Sequence, residues 1–176
     1  MGRLPYVWGA NEAEVRRGYP ADRFSPSGSV RAFRAVDVAA DPHTVFRWVC
    51  QLRRAPYSYD LVDNFGRRSP RTLDPAMLDL ELGQRAATIF RIVDFVADES
   101  ITMQITDRRL ARLMGAVTCT YAVAPAGERR SRLIGVIDMP TRARFLARIR
   151  MDLIMWGDLV MMRKQLKTLA QLAEKG

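Results

Sequence analysis

The sequence predicts an α+β domain in which a curved antiparallel sheet wraps around one long C-terminal helix. Three observations support this fold class. Residues 142–174 contain no proline and keep apolar residues at helical spacing. Roughly thirty residues at 1.5 Å each would form a helix about 45 Å long, and an average helix has only ~11–12 residues. Residues 85–139 before it resemble consecutive strands with short turns, and strands followed by a helix are typical of the α+β class.

Composition narrows the class of protein. The 176 residues are 48% hydrophobic and 27% charged, which suits one domain with its own core. The opening residues lack the apolar segment of a signal peptide, and no run of about 18 uncharged apolar residues exists. We therefore expect a cytoplasmic protein without a transmembrane segment. Residues 1–29 should form an N-terminal arm, and residues 30–176 a single domain.

Side chains for metal or catalytic sites are scarce. His43 is the only histidine, and we expect it to be exposed in the first turn of a helix. A single histidine, with no cluster of cysteine and histidine residues, argues against a zinc site or a Ser-His-Asp triad. Cys50 and Cys119 lie in apolar segments and are expected to be buried, reduced thiols. We expect neither a metal nor a cofactor.

The formal net charge is +9. A strongly basic chain suggests nucleic acid or an anionic membrane as a binding partner. The arginines are dispersed along the chain, and no nucleic-acid-binding motif is present. We therefore do not expect nucleic-acid binding. Peripheral membrane contact through the basic side of the last helix stays open as an alternative. The sequence indicates no oligomeric state.

The first half of the chain predicts an arm, a strand and a helix. Tyr6 and Trp8 are the expected anchors of the arm. Residues 30–38 alternate and are rich in β-branched and aromatic residues, which predicts a strand. Asp41 is placed to cap a helix with Pro42 at its first position, and helical spacing continues to about Arg54. A short second helix over residues 60–64 and a turn at Gly66 follow.

The second half predicts the sheet. Strands are expected over residues 85–95, 101–106, 117–124 and 131–139, with a polar excursion over residues 107–115. Consecutive strands pair as a meander, and a twisted antiparallel sheet curls around a helix on its inner face. The helix carries two apolar stripes. We expect the stripe with Leu153, Trp156 and Val160 to face the sheet and any cavity. We expect Leu166, Leu169 and Ala173 to clamp the end of the helix against the first strand and the short helices.

The element order and three stretches resemble a known superfamily. The stretches are AVDVAADPHTVFRWVCQLR, YSYDLVDNFGRRSPR and WGDLVMMRKQL. Over residues 30–174 the chain resembles the START-like, SRPBCC superfamily with the helix-grip fold, which includes polyketide cyclase/dehydrase-like and lipid-transfer domains. It is most similar to a bacterial subgroup of small members. The resemblance implies an apolar cavity between the sheet and the long helix that binds a small hydrophobic molecule.

A cluster of polar and aromatic residues after the first helix is the first candidate site. Tyrosine hydroxyls and charged groups there could orient a ligand's polar head, while the alternative is ordinary ion pairing and turn capping. The candidate catalytic residues are Tyr57, Tyr59, Asp60 and Arg67. The candidate ligand-binding residues are Trp48, Tyr57, Tyr59, Asp63, Asn64, Phe90, Ile92, Met103, Tyr121, Ile137, Leu153, Trp156, Gly157 and Val160.

Three further features have two interpretations each. Gly157 in the middle of a helix costs roughly 1 kcal/mol relative to alanine, so it makes room for a ligand or permits close helix–sheet packing. Asp158 pairs with Arg163 or Lys164, or faces solvent. Asp138 and the other charges within the strands lie on a solvated outer face, or form a ligand anchor inside the cavity.

Three functions are consistent with the sequence. We expect a carrier or ligand-binding protein, because no catalytic constellation stands out. The alternative is a polyketide cyclase/dehydratase-like enzyme that holds a reactive chain and transfers protons. The third is a module that associates with an anionic membrane or a protein through the basic helix. The sequence does not identify the ligand.

Overall fold

The protein, analysed as a computed structural model, is described over residues 4–59, 66, 68–140 and 145–176. One seven-stranded sheet forms its centre. The strands are β1 (Val7–Trp8), β2 (Val30–Val38), β3 (Arg85–Ala86), β4 (Phe90–Val96), β5 (Ser100–Gln104), β6 (Thr118–Pro125) and β7 (Ser131–Met139). The α-helices are α1 (Glu12–Arg16), α2 (Pro42–Cys50), α3 (Arg108–Met114) and α4 (Phe145–Ala173). Short 3-10 turns span Pro20–Arg23, Gln51–Arg53 and Pro75–Met77.

The sheet has the strand order β1-β2-β7-β6-β5-β4-β3. Strands β3 to β7 form the expected antiparallel meander, and β2 closes on β7 over nine paired residues. The short strand β1 adds a parallel edge next to β2. The α+β architecture with a long C-terminal helix is therefore confirmed.

Local sequence signals account for most of these elements. Strands β2 and β7 occupy the predicted residues. The side chain of Asp41 accepts a hydrogen bond from the Thr44 amide at 2.9 Å, and Pro42 follows it at the first helical position. Both features stabilise the start of α2.

The prediction of one strand over residues 85–95 is wrong. Ala87 and Thr88 have φ angles of +42° and +68°, and they turn the chain back into the β3–β4 hairpin. The sequence carries no glycine there to signal a left-handed turn. The polar excursion predicted over residues 107–115 does lie between β5 and β6, but the sequence interpretation did not assign the helix that Arg108–Met114 forms within it. Its arginine, leucine, alanine and methionine residues are all good helix formers.

The face of α4 that packs on the sheet differs from the predicted one. Leu153, Trp156 and Val160 are exposed, at 69%, 47% and 50%. The buried stripe is the second one, with Met155, Leu159, Met162, Leu166 and Leu169. The first stripe turns polar at Arg163 and Lys167, whereas the second stays apolar to the helix end. The expectation that Leu166, Leu169 and Ala173 clamp the helix end is confirmed, since they pack with residues of α2 and β2.

The N-terminal arm lies on the outer face of the sheet. Tyr19 is buried there in a cluster with Phe33 and Ile134. The expected anchors Tyr6 and Trp8 both hold the arm to α4. The hydroxyl of Tyr6 donates a hydrogen bond to Asp152, and the ring of Trp8 lies beneath the cationic groups of Arg163 and Lys167, at 5.2 and 5.9 Å.

The outer face is therefore not solvated throughout. Asp138 lies on it, as expected, but is covered by the residues before β2. It accepts hydrogen bonds from Arg31 at 2.7 and 2.6 Å and from Ser25 at 2.5 Å. The two hydrogen bonds from Arg31 raise the pKa of that arginine, so it stays charged.

Three smaller expectations can be compared with the fold. The thiols of Cys50 and Cys119 are unpaired and buried, as expected. His43 is exposed and contacts Asp98 at 2.8 Å. None of the helices in the described ranges combines the length and the hydropathy needed to span a bilayer.

Candidate ligand-binding cavity

A cavity of about 550 Å³ lies between α4 and the inner face of the sheet. Known small-molecule sites have volumes of roughly 300–1,000 Å³. Ala87 and Thr88 of the β3–β4 turn line one side, and Ile154 and Gly157 of α4 line another. The remaining lining residues are Pro56, Ser58, Ile89, Phe90, Met103, Ile105, Val117, Cys119, Tyr121, Ile137, Met139, Asp158, Met161, Met162 and Gln165.

Strand register explains which residues reach the cavity. Ile92 pairs with Met103, Met103 pairs with Cys119, and Cys119 pairs with Ile137, so all four share the inner face. The predicted strand residues therefore lie on the correct face. Phe90, Met103, Tyr121 and Ile137 line the cavity, whereas Ile92 is buried in the core beside it.

Two glycines shape the space between helix and sheet. A Cβ atom added to Gly157 would meet no atom within 4 Å, so this glycine makes room. The alternative of close helix–sheet packing at Gly157 does not hold. Gly135 of β7 supplies that close approach instead, because a Cβ there would lie 2.9 Å from the Met162 sulfur.

One ion pair is built into the cavity wall. Nη2 of Arg34 lies 3.0 Å from Oδ2 of Asp158, and Arg34 is fully buried. The guanidinium also donates hydrogen bonds to the backbone oxygens of Tyr6 and Phe33, at 3.0 and 2.9 Å. A third contact reaches the Met155 oxygen at 3.4 Å. The sequence interpretation that paired Asp158 with Arg163, Lys164 or solvent is wrong.

Burial opposes the charge on both partners. It raises the pKa of Asp158 to about 6, although the guanidinium of Arg34 acts in the opposite direction. Burial also lowers the pKa of Arg34, again against the effect of its partner. The cavity wall therefore holds a carboxyl group that titrates near neutral pH.

A second polar group is a short hydrogen-bonded chain. The hydroxyl of Tyr121 donates to Oε1 of Gln165, and Nε2 of Gln165 donates to the Pro56 oxygen at 2.5 Å. Burial raises the pKa of Tyr121 well above its usual value, so the phenol is protonated. Burial likewise raises the pKa of the neighbouring Cys119 thiol. These groups act as hydrogen-bonding groups and not as ions.

The predicted cluster near Tyr57 is arranged differently. Tyr57 is buried with a φ angle of +55°, and its ring packs edge-on against Trp48 at a centroid distance of 6.4 Å. Neither ring is among the residues that line the cavity. Tyr59 is 43% exposed. The other members of the cluster, Asp60, Asp63, Asn64 and Arg67, lie outside the described residues.

The helix contributes to the cavity through residues that sequence reasoning missed. Leu153, Trp156 and Val160 do not line it, whereas Ile154, Asp158 and Gln165 do. One signal was present for the ion pair: Arg34 stands between Ala32 and Val36 on the alternation that faces inward. An arginine at an inward position implies a buried acidic partner.

Within the described ranges, no cluster of three or more histidine, cysteine, aspartate or glutamate side chains could hold a metal ion.

Comparisons with known proteins give a fold and no closer relative. No protein-family model and no curated protein matches the chain. A Thermobifida fusca protein solved by NMR has a TM-score of 0.53 and 18% identity, covering 82% of this chain and 93% of that one. Norcoclaurine synthase from Thalictrum flavum, in complex with dopamine and hydroxybenzaldehyde, has a TM-score of 0.50 and 12% identity, covering 90% and 93%.

A third similar structure is the Zhui aromatase/cyclase from Streptomyces, with a TM-score of 0.49 and 15% identity, covering 84% of this chain and 94% of that one. The first two similarities and the observed topology confirm the helix-grip fold, a curved antiparallel sheet around a long C-terminal helix, that the sequence resemblance implied. At these identities the similarity is one of fold.

Proposed function

We propose that this protein binds a small hydrophobic molecule in the cavity between the curved sheet and α4. The cavity itself is the observation that carries the proposal. Its volume is about 550 Å³, and most of its wall consists of aliphatic, aromatic and thioether side chains. Burial of apolar ligand surface contributes roughly 25 cal/mol per Å². Four methionines in the wall, Met103, Met139, Met161 and Met162, allow it to adapt to ligand shape.

The fold is compatible with such a role. Norcoclaurine synthase, which has the same fold, was solved in complex with two small organic molecules. In this chain Thr88, Ile154 and Gly157 are exposed residues at the rim of the cavity. We infer that ligand enters between α4 and the β3–β4 hairpin.

Native mass spectrometry of the protein purified from its own host tests this proposal. We expect a small molecule to be retained by the wild type. Gly157→Leu should lose it, because the new side chain points into the cavity from a position with no neighbour within 4 Å. Val160→Leu is the matched control, since Val160 is on the exposed face of the same helix. Equal retention by all three proteins would contradict the proposal.

An enzyme of the polyketide cyclase/dehydratase kind is the second candidate. The observation that favours it is Asp158, a carboxyl group in the cavity wall with a pKa of about 6. Such a group can exchange protons near neutral pH. Tyr57, Tyr59, Asp60 and Arg67 stay candidate catalytic residues for this activity.

Single substitutions separate the two candidate sets. Asp158→Asn, Tyr59→Phe and Asp60→Asn would each be assayed for turnover of a polyketide-like substrate. Loss of turnover in Asp158→Asn alone assigns the chemistry to the ion pair. Loss in Tyr59→Phe or Asp60→Asn assigns it to the earlier cluster, and survival of turnover in all three variants excludes both sets.

Association with an anionic membrane is the third candidate. It is supported by the exposed apolar stripe of Leu153, Trp156 and Val160 on α4 and by the net charge of +9. Co-sedimentation with vesicles containing anionic lipid at low salt tests it. Trp156→Glu should abolish binding, and absence of wild-type binding would remove this candidate.

We also propose a cytoplasmic location. The two buried, unpaired thiols of Cys50 and Cys119 fit a reducing compartment. Fractionation of the host cell with an antibody against the chain measures this directly.

A further inference from the structure

We propose that the ligand carries a hydrogen-bond donor, an alcohol or an amine, on an otherwise apolar body, and that this donor binds the carboxylate of Asp158. This inference rests on the proposed ligand-binding function and specifies the chemistry of the same cavity. It is argued from the arrangement of donors and acceptors around the wall.

Among the described residues that line the cavity, Asp158 is the only one that carries a charge. Its Oδ2 atom accepts from Arg34, and within the described part of the chain its Oδ1 atom accepts no hydrogen bond. A buried carboxylate is costly unless its oxygens are hydrogen-bonded. Oδ1 is therefore an acceptor that a ligand donor can satisfy.

The positive charge of Arg34 is not presented to the ligand. Arg34 is fully buried and does not line the cavity. Its Nη1 and Nη2 atoms are directed at the backbone oxygens of Tyr6, Phe33 and Met155 and at Asp158. A ligand thus meets the carboxylate and not the guanidinium.

The second polar group supports the same ligand chemistry. The proton of the Tyr121 hydroxyl is committed to Gln165, and Gln165 is committed in turn to the Pro56 oxygen. Tyr121 lines the cavity, and its hydroxyl has no proton left to donate to a ligand. An anionic ligand head would place a second negative charge beside Asp158, and none of the described lining residues is a cation that could neutralise it.

Isothermal titration with three probes of equal chain length tests the inference: decanol, decylamine and decanoate at pH 7.5. We expect decanol and decylamine to bind at least tenfold more tightly than decanoate. If decanoate binds as tightly as the other two, the inference is overturned while ligand binding itself stands. If none of the three binds, the proposed function fails together with it.

Asp158→Asn locates the effect. We expect this variant to reduce the preference for decylamine over decanoate to less than threefold. Asp152→Asn is the matched control, because it removes one exposed carboxylate from the same helix, and it should keep the wild-type preference. An unchanged preference in Asp158→Asn would overturn the assignment to Asp158. If that variant does not fold, the order of the three probes on the wild type decides the inference alone.

Discussion

The Arg34–Asp158 pair is the residue-scale feature with the largest energetic consequences. Arg34 is fully buried and the Asp158 side chain is 13% exposed, and the low polarity around them disfavours charge on each. Hydrogen bonds from Arg34 to the backbone oxygens of Tyr6 and Phe33 offset part of the cost of burying its charge. Its Nε atom is buried with no hydrogen-bond partner among the described residues. A pair of this kind is weak evidence for stability, which is consistent with a role in binding.

Stability should depend on pH through Asp158. Its pKa is about 6 in the folded protein and 3.8 in the unfolded chain, so between these values the folded state binds more protons. The free energy of unfolding should therefore fall as pH rises from 4 to 7, relative to Asp158→Asn. The groups that face Asp158 are Arg34 from β2 and Cys119 and Tyr121 from β6, and neither the thiol nor the phenol titrates in this range.

The size of this effect is on the order of 3 kcal/mol, at 1.36 kcal/mol per pKa unit. Urea denaturation of the wild type and Asp158→Asn at pH 4, 5, 6 and 7 measures it. A difference between the two proteins that is constant over this range would show that the carboxyl is not perturbed.

Gly157→Ala should stabilise the protein. Alanine favours a helix interior over glycine by roughly 0.5–1 kcal/mol, and the added Cβ meets no atom within 4 Å. Urea denaturation of the variant should therefore show a higher midpoint. A lower midpoint would mean that Gly157 is in close contact with the sheet after all.

The long helix α4 is the main feature at the scale of elements. Its 29 residues present two apolar stripes, and among the side chains described from residue 151 onward the second stripe is buried while Leu153, Trp156 and Val160 of the first are exposed. Over the first four turns of α4 both stripes are apolar in sequence, so residue types there do not show which one is the core face. The distinction comes from the C-terminal half, where Leu166 and Leu169 continue one stripe while Arg163 and Lys167 interrupt the other. A stripe must stay apolar over its full packed length to be the core face.

Substitution of one leucine from each stripe tests this assignment. Leu166→Ala should cost about 2–5 kcal/mol of unfolding free energy, because Leu166 is fully buried. Leu153→Ala is the control and should change stability by less than about 0.5 kcal/mol, since Leu153 is 69% exposed. Similar losses in both variants, measured by urea denaturation, would refute the observed helix orientation.

Sequence periodicity predicted the elements better than their contacts. Alternation in β4 to β7 placed Phe90, Met103, Tyr121 and Ile137 on the correct face, because the strand period leaves two choices only. The β3–β4 turn was missed because Ala87 and Thr88 adopt positive φ without glycine. The Arg34–Asp158 contact was missed because its partners are 124 residues apart in sequence.

At the scale of the whole molecule, the two faces of the sheet are packed against different parts of the chain. The inner face packs on α2 and α4 and encloses the cavity, while the outer face is covered by the N-terminal arm. The arm depends on close backbone contact at its edge strand. A Cβ atom added to Gly9 would lie 2.1 Å from the Ala35 oxygen, and the φ angle of Gly9 is +72°.

Gly9→Ala should therefore destabilise the protein by at least about 1 kcal/mol, because both the clash and the left-handed backbone oppose a side chain. Gly28→Ala is a useful control. It has a similar φ of +77° but no atom within 4 Å of the added Cβ, so it isolates the backbone cost. Equal thermal midpoints for the two variants would contradict a close packing of the arm on β2.

The central claim is that the space between sheet and helix holds a small apolar molecule. Methyl-labelled methionine NMR tests it most directly, because Met103, Met139, Met161 and Met162 line the cavity and Met77 does not. On titration with decanol, we expect the four lining methyl signals to shift with one common dissociation constant while Met77 stays fixed. Unchanged lining signals, or equal shifts at Met77, would contradict the claim.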